Sequence, residues 1–131
     1  MSNRAVEERT IRVVSARAAE LVPWRPDLTG VCEVLAGELE MKIDVLWSSP
    51  DGTSANGVWQ CTPSTIRLTH PYDETFTVVE GLMTFTPEGG EPQAVGPGDV
   101  IVIPEGSVNV IEVHETVTKV WSVHSDRPLA L

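Results

Sequence analysis

The chain has 131 residues, enough for one compact core, and 41% of them are apolar, enough to fill it. Nine basic residues face 19 acidic ones, a net charge of −10. That balance argues against nucleic acid, whose phosphates call for a basic face, and against an anionic membrane surface.

The first 20 residues are charged and contain no apolar run long enough for a secretory signal. No segment approaches the ~20 apolar residues of a membrane span. The two cysteines, Cys32 and Cys61, match no zinc spacing, and free thiols in a reducing cytoplasm are the expected state.

Residues 1–30 read as an N-terminal arm and residues 31–131 as the single domain. Within the arm, residues 7–21 suit a short helix or an edge strand, and Pro23 and Pro26 end any regular element. The arm is expected to pack across the domain or against a neighbouring subunit, with Trp24 or Leu28 as its apolar contacts. Residues 38–47 alternate: Leu39, Met41, Ile43, Val45 and Trp47 share one face, and charged residues share most of the other. That is the pattern of a half-buried strand. A polar loop is predicted over 48–57, and short strands over 58–61, 64–70 and 75–80, the last ending at Gly81. Residues 82–86 and 91–95 flank Pro87-Glu88-Gly89-Gly90 as a hairpin. A strand over 100–103 follows the Gly98-Asp99 turn. Residues 108–114 and 117–123 form a last predicted hairpin around Glu115-Thr116. Many short strands with Gly/Pro turns predict an all-β sandwich or barrel, and a double-sheet jelly roll fits the count.

The stretch from His70 to Asn109 carries the chemistry. It reads His70, three residues, Glu74, six residues, Gly81; then, after a 16-residue spacer, Gly98, Pro104-Glu105-Gly106 and Asn109. This resembles the two-part cupin signature, G-x5-H-x-H-x3/4-E-x6-G and G-x5-P-x-G-x2-H-x3-N. More narrowly, Gly57-Val58-Trp59-Gln60-Cys61 and Lys119-Val120-Trp121 resemble the small single-domain group of ureidoglycine aminohydrolase and ethanolamine-utilisation cupins (DUF861, Cupin_3). The resemblance implies an RmlC-like jelly-roll barrel. Its turn residues are kept: Gly81, Gly98 and Gly106, where positive φ is expected, and Pro104, which stiffens the entry to the next strand. Several of its other positions are changed. Thr62 stands at the first Gly, Leu68 at the first His, Asn109 at the last His and Val113 at the final Asn.

The family's ligand set of three His and one Glu is thus reduced to His70 and Glu74. The resemblance implies no tightly held cofactor, with a weakly bound divalent metal (Mn, Fe, Ni or Zn) on His70 and Glu74 as the option. It also implies that Ile66, Leu68, His70, Glu74, Phe76, Val78, Asn109, Ile111 and Val113 face inward. The result is an apolar pocket with a few convergent polar groups. Glu74 is the candidate general base and His70 its partner or an acid. Phe76, Asn109, Ile111, Lys119 and Trp121 are the candidate substrate contacts, with the strand parity of Lys119 left open. The other tryptophans, Trp24, Trp47 and Trp59, read as core or dimer packing. His114 and Asp73 read as exposed.

Three functions follow. The first is an enzyme that hydrolyses, isomerises or eliminates from a small polar metabolite at Glu74 and His70. The second is a metal-dependent cupin with a reduced ligand set. The third is a non-enzymatic binding or structural cupin. A homodimer with a small-molecule ligand is expected, with neither nucleic acid nor membrane as partner.

Overall fold

The computed structural model describes residues 10–131. Nine strands follow one another: β1 (Val22–Pro23), β2 (Cys32–Gly37), β3 (Met41–Ser48), β4 (Ser54–Cys61), β5 (Ser64–Thr69), β6 (Asp73–Pro87), β7 (Gln93–Val95), β8 (Val100–Ile103) and β9 (Val108–His124). Every pairing is antiparallel. The architecture is the cupin jelly roll.

Two long strands, β6 and β9, build it. Residues 82–87 of β6 pair with β7 and with residues 109–115 of β9; residues 108–113 of β9 pair in turn with β5, and β5 with β2. This is one sheet, in the order β2-β5-β9-β6-β7. Residues 73–80 of β6 pair with β8 and with residues 118–124 of β9; those pair with β4, β4 with β3, and β3 with β1. This is the second sheet, β1-β3-β4-β9-β6-β8. The same two strands therefore belong to both layers, and the layers enclose the core between them.

The shared strands must turn a corner together. Register shifts between Val78 and Met83 mark the corner in β6. Gly81 sits there with φ +91°, and a Cβ at this position would lie 2.3 Å from the Thr116 carbonyl oxygen of β9. Only a residue without a side chain lets the strands cross that closely. In β9 the corner appears as two consecutive buried residues, Val117 and Thr118, where a flat strand would alternate.

The corner corrects two predicted elements. Residues 108–124 are one continuous strand and not a hairpin: the two halves pair with different neighbours instead of each other. Likewise β6 does not end at Gly81 but runs through it. Other boundaries also move. The polar loop shrinks to residues 49–53, and residues 54–57 join β4. Asp51 organises what remains, its Oδ1 accepting from the Ser49 and Thr53 hydroxyls and the Thr53 N–H. Strand β3 starts at Met41, and a bulge between Val45 and Trp47 breaks its alternation. Strand β2 has no counterpart in the sequence reading. It is an edge strand, exposed along most of its length, so no burial pattern is imprinted on it.

Residues 10–30 are neither a helix nor a long strand, and residues 7–9 of that expectation lie outside the described residues. A single 3₁₀ turn, Ala16–Ala18, is followed by β1 at the edge of β3. The segment runs along the barrel of its own chain. Arg12 donates to the Leu46 carbonyl, Arg17 pairs with Glu80, and the Glu20 N–H donates to Asp44. Trp24 packs on this chain's own core and Leu28 lines its cavity, the first of the two placements that the sequence left open for the arm.

The core comes from both layers. Phe76 and Val78 of β6, Val117, Trp121 and Val123 of β9, and Met83 and Phe85 past the corner are all buried. Each fully buried side chain of this size contributes about 1.5–3 kcal/mol. Phe76 and Phe85 meet across the layers, with ring centroids 5.8 Å apart at 43°. No helix of the described residues is long and apolar enough to cross a membrane.

Candidate functional site

A cavity of about 90 Å³ lies between the sheets. Its wall is mostly apolar, with Ile66 and Leu68 from β5, Ile111 and Val113 from β9, and Met41 and Ile43 from β3. Trp24 and Leu28 of the N-terminal segment and Leu131 at the C-terminus complete its lining. The C-terminal segment is held by the Leu129 N–H, which donates to the Gly52 carbonyl at 2.7 Å.

The polar groups enter from two places. The first is the turn between β5 and β6, residues 70–72. Its backbone is tied to the Pro104-Glu105-Gly106 turn. The His70 N–H donates to the Ser107 carbonyl at 2.9 Å, and the Gly106 N–H to the His70 carbonyl at 2.8 Å. The Glu105 N–H donates to Asp73 at 2.8 Å. Gly106 has φ +86° and Gly98 φ +91°, as expected of turns. The second half of the signature thus positions the first, whatever side chains line the cavity.

The second entry is the inward row of β9. Lys119 lies opposite Trp59 and Val78 in register. Its side chain passes between two rings, with Nζ 4.4 Å from the Trp59 centroid and 4.2 Å from that of Phe76. It ends 2.7 Å from Oε2 of Glu74. Glu74 is buried and Lys119 largely so, with side-chain exposures of 9% and 12%. Lys119 therefore points inward. The ring faces favour the ammonium electrostatically, and the carboxylate neutralises it.

Burial holds the neighbours in their neutral forms. It lowers the pKa of His70, and the Lys119 charge adds to that, while Glu74 and the Ser107 contact oppose it. Burial pushes the Tyr72 phenol up, and the Glu74 charge pushes it further. Burial also raises the Cys61 thiol, against its Ser64 contact and the Lys119 charge. A thiol held in that form is a poor nucleophile. The Asn109 side-chain amide lies 3.5 Å from Nδ1 of His70. The Trp121 indole N–H is buried and finds no hydrogen-bond partner among the described residues.

Of the residues singled out in the sequence, Glu74, His70, Ile111, Lys119 and Trp121 line the cavity together. Phe76 does not; it is 1% exposed and lies under the ammonium. Nor does Asn109, which lies beside His70 and borders a separate trough lined by β7 and β8. Tyr72 and Trp59 were missed as cavity residues. Tyr72 lies inside the His70–Glu74 spacer, and Trp59 shares a strand face with Cys61, so both carried a weak signal. Trp24 and Leu28 read only as packing contacts of the arm, and Leu131 carried no signal, because these segments reach the cavity only through tertiary packing.

The cupin signature implies a divalent metal, and the donor set can be tested for it. Leu68 offers no lone pair, and Asn109 does not line the cavity. Glu74 already holds an ammonium at coordination distance. Among the described residues, no group of three or more His, Cys, Asp or Glu side chains is placed to hold an ion. These residues do not fit a tightly bound first-row metal.

The fold has many relatives among solved structures. A DUF861-family protein of unknown function from Pseudomonas syringae pv. tomato superposes with a TM-score of 0.72 at 23% identity. The match covers 82% of this chain and 45% of that one, so this chain spans under half of that relative. The EutQ protein of Clostridium difficile gives 0.58 at 21% identity, over 66% of this chain and 64% of that one. A putative ethanolamine utilization protein Q from Salmonella typhimurium gives 0.57 at 20%, over 81% and 98%. At these identities the likeness shows the fold alone. No curated protein matches the chain. The family model for the EutQ-like cupin domain matches residues 48–121, more than half of the sequence and both halves of the site described above. On that match, the chain belongs to the EutQ-like cupin domain family.

Proposed function

We propose that the cavity binds a small polar metabolite and that Glu74, with Lys119 and His70 beside it, moves a proton on that molecule. Hydrolysis, isomerisation and elimination all fall within this chemistry. The observation that carries the reading is the Glu74–Lys119 pair, 2.7 Å apart inside a mostly apolar cavity. Burying two charges costs more than packing two apolar side chains of similar volume. A chain that keeps such a pair against a cavity, beside a histidine held neutral, has the features of a reactive site.

The chemistry follows from the contacts. Glu74 takes a proton from the ligand. Its charge is then lost, and the Lys119 ammonium turns its field to the negative charge left on the ligand. His70, held neutral by burial, donates or returns a proton at the cavity wall. No step is assigned to a resident metal. A binding role without turnover is the second reading, favoured by the mostly apolar lining to which Trp24, Leu28 and Leu131 contribute. We further propose a cytoplasmic homodimer, consistent with the exposed valines Val100 and Val102 on edge strand β8.

The test incubates the full chain with a panel of small carbonyl, hydroxy and ureido compounds, followed by proton NMR in D₂O. Product or proton exchange that Glu74→Gln lowers by about 10²–10⁴-fold supports the catalytic reading. Equal turnover by Glu74→Gln overturns it. Binding without chemical change across the panel leaves the binding role in its place.

A further inference from the structure

Lysine is scarce in this chain. Of nine basic residues, two are lysines, Lys42 and Lys119, and the others are arginines. Every other ion pair among the described residues uses arginine, at Arg17, Arg67 and Arg127, and all of those pairs are exposed. The buried pair uses lysine. Arginine suits a purely structural pair better, because its planar fork meets a carboxylate with two hydrogen bonds. Lysine differs in its chemistry: once its nitrogen gives up a proton, it has a lone pair that attacks carbonyl carbon.

Lys119 is placed for that step. Its side chain points inward from a strand flanked by β4 and β6, and 12% of it stays accessible, so that surface opens into the cavity. Two of the groups around Nζ, Trp59 and Glu74, are cavity wall as well. Glu74 lies 2.7 Å away and is the acceptor for the proton that must leave. The wall beyond them is mostly apolar and takes a carbon body, and the volume of about 90 Å³ limits that body to a few non-hydrogen atoms.

We propose that Lys119 Nζ condenses with the carbonyl carbon of a small aldehyde or ketone in the cavity to form an imine, with Glu74 carrying the protons. The inference rests on the reading of the cavity as a small-molecule site with Glu74 as its base. Glu74 takes one proton from the ammonium, and the nitrogen lone pair forms the C–N bond. The carbonyl π electrons move to oxygen, which takes that proton from Glu74. A second proton follows the same route from nitrogen to the hydroxyl, the C–O bond breaks, and water leaves. Of the three ammonium protons, two depart with the water and one stays on the iminium nitrogen. The positive charge thus remains beside Glu74 and between two ring faces, so the contacts that hold the ammonium also hold the iminium. Glu74 ends as a carboxylate, close to a carbon whose C–H bonds the iminium has made acidic. It takes that proton, and the electron pair moves to nitrogen.

The experiment treats the full chain with acetaldehyde or acetone and cyanoborohydride, which reduces an imine to a stable alkylamine. Peptide mass mapping then reads alkylation at Lys119 and at Lys42, the exposed lysine of β3 and the internal reference. Lys119 is expected to label at least about tenfold faster than Lys42 although it is the more buried, and Glu74→Gln to slow Lys119 by about 10²-fold with Lys42 unchanged. Glu74→Asp, which keeps a carboxylate, should restore part of the rate. In denaturant the preference for Lys119 should vanish. Where Glu74→Gln fails to fold, the comparison of native with denatured chain decides. Labelling of Lys119 no faster than of Lys42 in the folded chain overturns the proposal. So does a Lys119 rate that Glu74→Gln leaves unchanged in a folded protein, or a preference for Lys119 that persists in denaturant. Labelling of Lys119 with no turnover of any panel compound supports this inference while removing the catalytic reading. Turnover that Glu74→Gln abolishes and Lys119→Arg retains, with Lys119 unlabelled, does the reverse.

Discussion

Lys119 and Glu74 depend on one another. With Lys119 gone, Glu74 stays behind as a buried charge, and rupture of such a pair costs about 3–5 kcal/mol. We expect Lys119→Met to lower stability by that order in denaturant unfolding. Glu74→Gln/Lys119→Met should recover part of the loss, because no charge is then stranded. Additive effects of the two single changes would mean that the pair is not coupled. His70 gives the site its dependence on pH. In the unfolded chain it titrates near ~6.5, and in the fold burial holds it lower. Between those two values the unfolded chain carries a proton that the folded chain does not. Stability therefore falls as pH drops below about 6.5 and continues to fall until the folded form protonates too. His70→Gln should flatten that part of the curve. Parallel curves for the two proteins, measured from about pH 7.5 to about pH 5, would show that His70 has no part in it.

The corner that β6 and β9 turn together decides the architecture at the level of elements. Gly81→Ala places a Cβ 2.3 Å from the Thr116 carbonyl oxygen at φ +91°. Relief requires the two strands to separate where both layers depend on them. A loss of roughly 3 kcal/mol or more is expected in thermal or denaturant unfolding, from strained backbone and displaced packing together. A loss below about 1 kcal/mol would mean that the corner yields easily. Gly57 has a similar place in β4. A Cβ there would sit 2.1 Å from the Asp44 carbonyl oxygen and 2.8 Å from the Trp121 ring. The glycine in the Gly57–Cys61 segment thus makes room for the tryptophan in Lys119-Val120-Trp121. Two segments singled out separately in the sequence are halves of one contact.

On the scale of the molecule, the cavity is lined in part by segments outside the long strands. Trp24 and Leu28 reach it from the N-terminal side and Leu131 from the C-terminal side. That arrangement removes the simplest argument for a partner, since these apolar residues have a place within one chain. Other surfaces stay open: Val34 and Leu35 on edge strand β2, and Val100 and Val102 on edge strand β8, are all at least 41% exposed. An unpaired edge with apolar side chains favours association. Light scattering should therefore report twice the chain mass of 14.2 kDa. A mass of one chain at micromolar concentration would count against the dimer.

The sequence alone determined the class of fold, because turn glycines and two-residue alternation are local signals that each strand carries by itself. It also marked His70 and Glu74, whose spacing is part of the cupin signature, and the replacements at Leu68 and Asn109. It could not join 108–114 to 117–123, since a strand that changes sheets looks like a hairpin until its partners are known. It could not find β2, whose exposure leaves no pattern. The direction of Lys119 was also decided only in three dimensions: the corner shifts strand parity, so counting residues from either side of it does not say which face is inward. The ammonium between two rings and its grip on Glu74 follow from that direction. They arise from contacts between residues far apart in sequence, 45 positions in the case of Glu74 and Lys119, which the fold alone brings together.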